Sequence, residues 1–324
     1  MNGLFLLDIS IFVVGAIASF LVGANNTATS LGILVSTRAL TPKRSFLYTA
    51  LVSFLGTVIN SKSLEGSVKN LIQSDYKIYV SLAVLTIVSA SSVAFYLLNK
   101  SGIPSSLSQM VYISAASLFL VSQDEFAIDW VKFYVTAISW IVSPLSAIAL
   151  SLIIFRSLKY ISTTNSLVIQ MRFYRTFILI ASLINAYVVG ANAIGVLVSV
   201  GLVGINDYYL VATVYGISSA IGIYVSSLKP SIVVGFRIAK LGYMGASSAL
   251  ISGGILSEVF TLLGIPISIT QTMLGGIIGL SLRNLSRDVI KQLIQVTKGW
   301  LTSPVISAVA SLAIYGVLKS LLGL

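Results

Sequence analysis

The sequence contains no cysteine and no histidine. That removes disulfides, thiolate nucleophiles, Ser–His and Cys–His catalysis, and His- or Cys-ligated metals in one step. Charge is scarce as well: only 9% of the 324 residues are charged, where soluble domains carry about one quarter. Acids are the rarer sign, 9 against 20 Lys and Arg, and no two of them pair within an apolar segment. With neither imidazole, thiol nor paired carboxylates, an intramembrane enzyme acting on lipid phosphates is disfavoured, and the chain is read as a non-enzyme without a bound cofactor. No phosphate-binding P-loop is visible, so ATP-driven transport by this chain alone is disfavoured too. The first apolar run has no Lys or Arg before it, unlike a cleaved signal peptide, and reads as a retained first span.

What the chain has in abundance is apolar length. Hydrophobic residues make up 56% of it and the mean hydropathy is +1.00. Runs such as Val80–Leu98, Phe133–Phe155 and Val305–Leu324 are near or above the length that crosses a bilayer. This is the composition of an all-α polytopic membrane protein. The net charge of +11 sits in short loops between spans. Positive-inside orientation explains it better than nucleic-acid binding does.

The apolar pattern is interrupted at Gly23-Ala24-Asn25-Asn26-Thr27-Ala28-Thr29-Ser30-Leu31-Gly32, and much of this recurs near Ala191-Asn192-Ala193-Ile194-Gly195. Ala28 and Ala191 are 163 residues apart, Gly102-Ile103-Pro104 and Gly264-Ile265-Pro266 are 162 apart, and Trp140-x-x-Ser143-Pro144 and Trp300-x-x-Ser303-Pro304 are 160 apart. Landmarks in the same order at nearly constant spacing indicate duplication. Residues 1–155 form a first repeat, 156–175 a basic cytoplasmic connector and 176–324 a second repeat. Each repeat holds about five membrane elements, an odd number, so the second enters from the opposite side. The expected fold is two inverted-topology repeats with broken or re-entrant helices at the centre, an architecture many secondary transporters share. With the Arg38–Arg44 turn inside, every strongly basic loop falls on one side and both termini lie outside the cell membrane. The apolar stretches at Gly275, Gly276 and Gly279 read as helix packing.

Polar interruptions at matching points of two hydrophobic halves point to a solute site. Pro104-x-Ser106-x-Ser108-Gln109 and Pro266-x-Ser268-x-Thr270-Gln271 read as two helix starts, with proline suited to the first turn. Their hydroxyls and free first-turn N–H groups, meeting mid-membrane, make a donor cage for an anion without a formal positive charge. Asn25, Asn26, Thr29 and Asn192 extend that set. The expected ligand is a small oxyanion.

Gly23-Ala24-Asn25-Asn26-x-Ala28-Thr29-Ser30-x-Gly32 resembles the first signature of the inorganic phosphate transporter (PiT) family, G-A-N-D-x-A-N-S-x-G. Pro266-Ile267-Ser268-Ile269-Thr270-Gln271 resembles its P-V-S-T-T-H block, and Ala191-Asn192-Ala193-Ile194-Gly195-x-Leu197 the end of its second G-A-N-D block. The resemblance implies an oxyanion symporter with inverted repeats, carrying phosphate with Na⁺ or H⁺. This chain departs from the pattern at the carboxylates. Asn26 replaces Asp, Val189 or Ala193 stands at the second Asp position depending on alignment, Gln109 and Gln271 replace His, and Ser53 stands where the family often has Glu. Losing those carboxylates weakens the expectation of Na⁺ ligation there. Asn26 and Glu258, the acid well inside an apolar run of the second half, are the candidate proton or cation sites.

A lining without Asp, Glu or His also suits sulfate, which bears no proton and asks only for donors. Phosphate by secondary active, ion-coupled symport is the first reading. A sulfate or related oxyanion permease of the same fold is the alternative, and an anion channel is disfavoured against both. The partners expected are the oxyanion and the lipid bilayer, with a homo-oligomer allowed and nucleic acid excluded.

Overall fold

A computed structural model describes residues 2–100, 105–161, 166–226, 242–281 and 287–324. The motif residues Gly102, Ile103 and Pro104 and the basic residues Lys229, Arg237, Lys240 and Arg283 lie outside those ranges. The described chain is almost wholly helical, and seven of its helical stretches are long and apolar enough to cross a membrane.

The first repeat begins with α1 (Asn2–Asn26) and α2 (Ala28–Ser36), continues with α3 (Pro42–Asn60), a one-turn helix α4 (Gly66–Lys69) and α5 (Lys77–Lys100), and ends with α6 (Leu107–Val121) and α7 (Trp130–Ile161). The second holds α8 (Leu167–Val188), a π-helical turn Val189–Ile194, α9 (Gly195–Gly204), α10 (Tyr208–Ser226), α11 (Gly242–Leu262), α12 (Ile269–Ser281) and α13 (Arg287–Leu322). α6 and α12 have 15 and 13 residues. At 1.5 Å per residue these fall short of the ~30 Å hydrocarbon core, so each covers only part of the membrane.

The packing repeats itself when the halves are exchanged. α1 lies on α5 and α10, and α8 lies on α11 and α3; α6 packs on α13 as α12 packs on α7; α5 meets α13 as α11 meets α7. The inverted repeat is therefore present in the contacts as well as in the sequence. Backbone approach points follow the same rule. A Cβ on Gly56 would stand 2.0 Å from the Tyr187 carbonyl oxygen, and one on Gly222 would stand 2.1 Å from that of Phe20.

Both termini reach one face. Asp8 pairs with Lys77 at 2.7 Å and accepts from the Ser81 hydroxyl at 2.9 Å. Glu125 binds Lys319 and Tyr315 near the C-terminus. On the same face Ile72–Gln73 pairs antiparallel with Ala127–Ile128. Arg38, Lys43, Arg44, Arg156, Lys159, Arg172 and Arg175 gather at the opposite face, where Arg175 donates to the Arg38 carbonyl.

Several boundaries differ from expectation, each for a local reason. The Gly23–Gly32 interruption is a single turn residue rather than a broken stretch, because Thr27 returns its hydroxyl to the Gly23 carbonyl at 2.8 Å and its own carbonyl takes the Leu31 amide. The matching interruption in the second repeat is absorbed by a π-turn, with i→i+5 spacing instead of a gap. The stretch expected to be a basic connector is largely helix: α7 continues to Ile161 and α8 is already helical from Leu167. The basic residues from Arg287 onward likewise belong to α13. Lys, Arg and Gln are good helix formers, and outside the hydrocarbon nothing requires the helix to stop.

Pro144 and Pro304 sit inside α7 and α13. Each removes the N–H that the carbonyl four residues earlier would accept, and those residues are Trp140 and Trp300, the other half of the repeated motif. Gly275 and Gly279 let α12 rest on the Pro144 and Ile148 carbonyls, which is the close packing expected of them.

Candidate oxyanion site between the two repeats

The starts of α6 and α12 converge. In α6 the extended Ser106 caps the helix, its hydroxyl accepting from the Gln109 amide at 3.5 Å and its carbonyl taking the Met110 amide at 3.1 Å. In α12 Ser268 holds the same position, its carbonyl accepting the Thr272 amide at 3.0 Å. Pro266 is not in the first turn, contrary to expectation. It lies in the non-helical run 265–268 that ends at the cap, where its ring keeps the preceding residue out of helical geometry. Thr270 reaches across to the Ser105 carbonyl at 3.4 Å, so the two half-length helices touch start to start.

Between them lies a narrow cavity, with room for about one water molecule as the side chains stand. Ser105, Ser106, Leu107 and Ser108 line it from the first repeat, and Ile267, Ser268, Ile269 and Thr270, at corresponding positions, from the second. Asn26, Asn192, Ala193 and Val196 complete the wall. Asn26 and Ala193 correspond when the two Gly-Ala-Asn runs are aligned, so it is Ala193 rather than Val189 that stands opposite Asn26.

Six of the ten expected ligand residues therefore share one cavity: Asn26, Ser106, Ser108, Asn192, Ser268 and Thr270. Gln109 and Gln271 do not line it. They sit at the third helical position of α6 and α12, the place a capping glutamine takes, and each buried side-chain oxygen lacks a partner among the described residues. Asn25 and Thr29 are half-buried and also off the wall. Ser105 was not anticipated, although the repeat spacing carries the signal for it, and Ala193 was reached only as one of two alternative alignments.

The chemistry of this wall is neutral and hydrogen-bonding. Ser106 and Ser108 hydroxyls lie 3.3 Å apart, as do those of Ser268 and Thr270. The first-turn N–H groups of both helices have no intrahelical acceptor, and both helix dipoles present their positive ends. A tetrahedral anion placed there would meet donors from two directions. Asn26 Oδ1, Ser105 Oγ and Asn192 Oδ1 are buried without a partner among the described residues, unused capacity that a polar ligand can fill.

Glu258 stands apart. It lies near the end of α11, half-buried, with one carboxylate oxygen accepting from the Asn60 amide and the other buried and unpartnered among the described residues. It is one helical turn from Thr261, whose hydroxyl accepts from Asn192 Nδ2 at 2.8 Å. Ser53 is buried in α3, and its carbonyl faces Gly190.

Comparison with known proteins agrees with this architecture. Against a solved structure titled "The sodium-dependent phosphate transporter" the chain superposes with a TM-score of 0.85 over 97% of its own length and 99% of the other, at 20% identity. Among sequences it is 25% identical to a "putative phosphate permease" of Methanocaldococcus jannaschii over 90% of this chain and 91% of that one. It is 22% identical to a "probable low-affinity inorganic phosphate transporter" of Bacillus subtilis, over 86% and 87%. A sulfate permease of Bacillus subtilis is 24% identical over 88% and 81%. The profile of the phosphate transporter family matches residues 22–190 and 189–323, one segment per repeat and nearly the whole sequence between them. The chain belongs to the phosphate transporter family.

Proposed function

We propose that this chain is a secondary active transporter that moves inorganic phosphate across the cell membrane by alternating access, in symport with Na⁺ or H⁺. The observation that carries this reading is the meeting of two inverted, half-length helices, start to start, at one charge-free polar cavity between the repeats. Asn26, Ser106, Ser108, Asn192, Ser268 and Thr270 bind the oxyanion directly. Gln109 and Gln271 lie beside the two helix starts, and Asn25 and Thr29 beside Asn26, without lining the cavity. The basic face lies in the cytoplasm and both termini lie outside, as the distribution of Lys and Arg favours.

Coupling needs an ion site, and the wall offers no carboxylate. Glu258 supports a proton site outside the cavity: a half-buried acid with one free oxygen, a single turn from the Asn192 partner. Asn26 can supply an amide oxygen to Na⁺ in place of the family's Asp.

The test is uptake of labelled phosphate into proteoliposomes with Na⁺ and proton gradients imposed separately. Saturable uptake driven by either gradient is the expected result, and an ohmic current instead would mean a channel. If the proton gradient is the driver, Glu258→Gln should lower gradient-driven accumulation about tenfold while phosphate–phosphate exchange continues. A second reading, a sulfate permease, draws support from the donor-rich wall and the sulfate permease similarity. Labelled sulfate uptake that phosphate does not compete with would favour it.

A further inference from the structure

Asn192 is fully buried in the π-turn, and its amide is held in one orientation. Its Nδ2 donates to Thr261 Oγ1 at 2.8 Å and to the Ile265 carbonyl at 3.4 Å. The Thr261 hydroxyl spends its own proton on the Ser257 carbonyl at 2.7 Å, so toward Asn192 it can only accept. The Ile265 carbonyl can only accept by nature. An amide turned the other way would set an oxygen against two acceptors, so the network itself fixes which end is nitrogen.

The partners are themselves rigid. α11 ends in Gly264 with φ +73. The Gly264 amide bonds the Thr261 carbonyl and the Ile265 amide bonds the Phe260 carbonyl, both at 2.9 Å. That pair of bonds is the glycine-dependent helix ending in which two orphan carbonyls are closed at once. It locks the Ile265 carbonyl and Thr261 into one frame. Both hydrogens of the Asn192 amide are thereby used, and Oδ1 is left buried with no partner among the described residues, on a residue that lines the cavity.

The other groups on the wall are undecided. The serine and threonine hydroxyls are held only by long bonds, Thr270 to the Ser105 carbonyl at 3.4 Å and the Gln109 amide to Ser106 at 3.5 Å, so each can turn to donate to a ligand or accept from it, and no hydrogen bond among the described residues fixes the Asn26 amide. Asn192 is different, because it presents an acceptor that cannot become a donor. We infer that Thr261 is a positioning residue that makes Asn192 Oδ1 a fixed acceptor, so that the cavity selects oxyanions carrying a hydroxyl, phosphate and arsenate, over sulfate and selenate, which carry none near neutral pH. A hydroxyl-bearing anion donates to Oδ1, whereas a fully deprotonated one faces it oxygen to oxygen. This rests on the oxyanion reading of the cavity and names what that site discriminates.

The test uses the purified full-length chain and two readouts, thermal stabilisation by each anion, which reports binding without transport, and competition against labelled phosphate uptake in proteoliposomes. For the unaltered chain, phosphate and arsenate should stabilise and compete, and sulfate and selenate should be weaker by about tenfold or more, the scale on which unpaired buried polar groups discriminate. Thr261→Val frees the amide to rotate and donate, so sulfate should gain at least about tenfold relative to phosphate. Thr261→Ser keeps the accepting hydroxyl and should restore the original ratio. A purely structural role for Thr261 would weaken all four anions together and leave their ratio unchanged, which would overturn the inference. So would equal binding of sulfate and phosphate by the unaltered chain, or stabilisation by no anion. Selective binding without uptake would leave the selectivity standing and remove the transport reading.

Discussion

Ser268→Ala is expected to lower phosphate uptake about tenfold to a hundredfold with little change in folding. Ser268 caps α12, lines the cavity, and places its hydroxyl 3.3 Å from that of Thr270. Losing a hydrogen bond to a charged ligand costs about 1.5–3 kcal/mol, which sets that range. The backbone is spared, because the Ser268 carbonyl that accepts the Thr272 amide survives the substitution. Ser143→Ala is the matched control. Ser143 is as deeply buried and accepts from the Thr272 hydroxyl at 2.9 Å, but it lies on α7, away from the cavity. Its loss leaves that hydroxyl bonded to the Ser268 carbonyl at 3.0 Å, so uptake should change less than about twofold. Initial rates of uptake at several phosphate concentrations make the comparison. Equal losses in the two variants would remove the cavity assignment.

The same contrast explains what the sequence could and could not convey. Ser268 and Ser143 both belong to repeated motifs and both lie near a proline, but only the first sits where several polar residues in a row interrupt the apolar pattern, and this identified it as a ligand candidate. The duplication was legible because three landmarks kept nearly constant spacing, and the inverted fold followed from an odd number of elements and the basic loops. The positions of Asn26, Asn192 and the two cap serines around one cavity were legible for that reason. Other features depend on distances between segments remote in sequence. Gln109 and Gln271 share the motif with the cap serines, but the helix turns them away from the wall. Asn25 precedes Asn26 by one residue, about 100° around the helix, which points its side chain elsewhere. Thr261 could not be found at all from pattern, since its role depends on the Gly264 helix ending and on a π-turn in another helix. A π-turn inserts a residue into the ladder without changing composition, and for this reason the second interruption read as a break.

Placing a methyl group on Gly190 is expected to be the most damaging small substitution in the described chain. The added Cβ would stand 1.9 Å from the Ser53 carbonyl oxygen and 2.8 Å from the Thr57 amide nitrogen. These are backbone atoms and have no rotamer to escape into, so α3 and the π-turn must separate. Overpacking of flexible side chains costs about 1–3 kcal/mol, and a backbone clash belongs at or beyond the upper end. Gly190→Ala should therefore lower the thermal midpoint of the purified protein by many degrees. Gly316→Ala, where nothing lies within 4 Å of the new methyl, should be neutral or slightly stabilising, since alanine is the better helix former by about 1 kcal/mol. The repeat sharpens the prediction. Gly23 is the counterpart of Gly190, and its Cβ would meet the Ser219 hydroxyl at 2.4 Å and the Ser219 carbonyl oxygen at 2.6 Å. Part of that contact is a side chain that can turn, so Gly23→Ala should cost less. Gly190 also lies two residues before Asn192, so separating the π-turn from α3 moves the fixed amide off the Thr261 hydroxyl. Stabilisation by phosphate should then be lost along with the midpoint. A variant that melted early but still bound phosphate with full selectivity would mean that Asn192 is not held through this packing, and that the frame around Thr261 and Gly264 is sufficient alone.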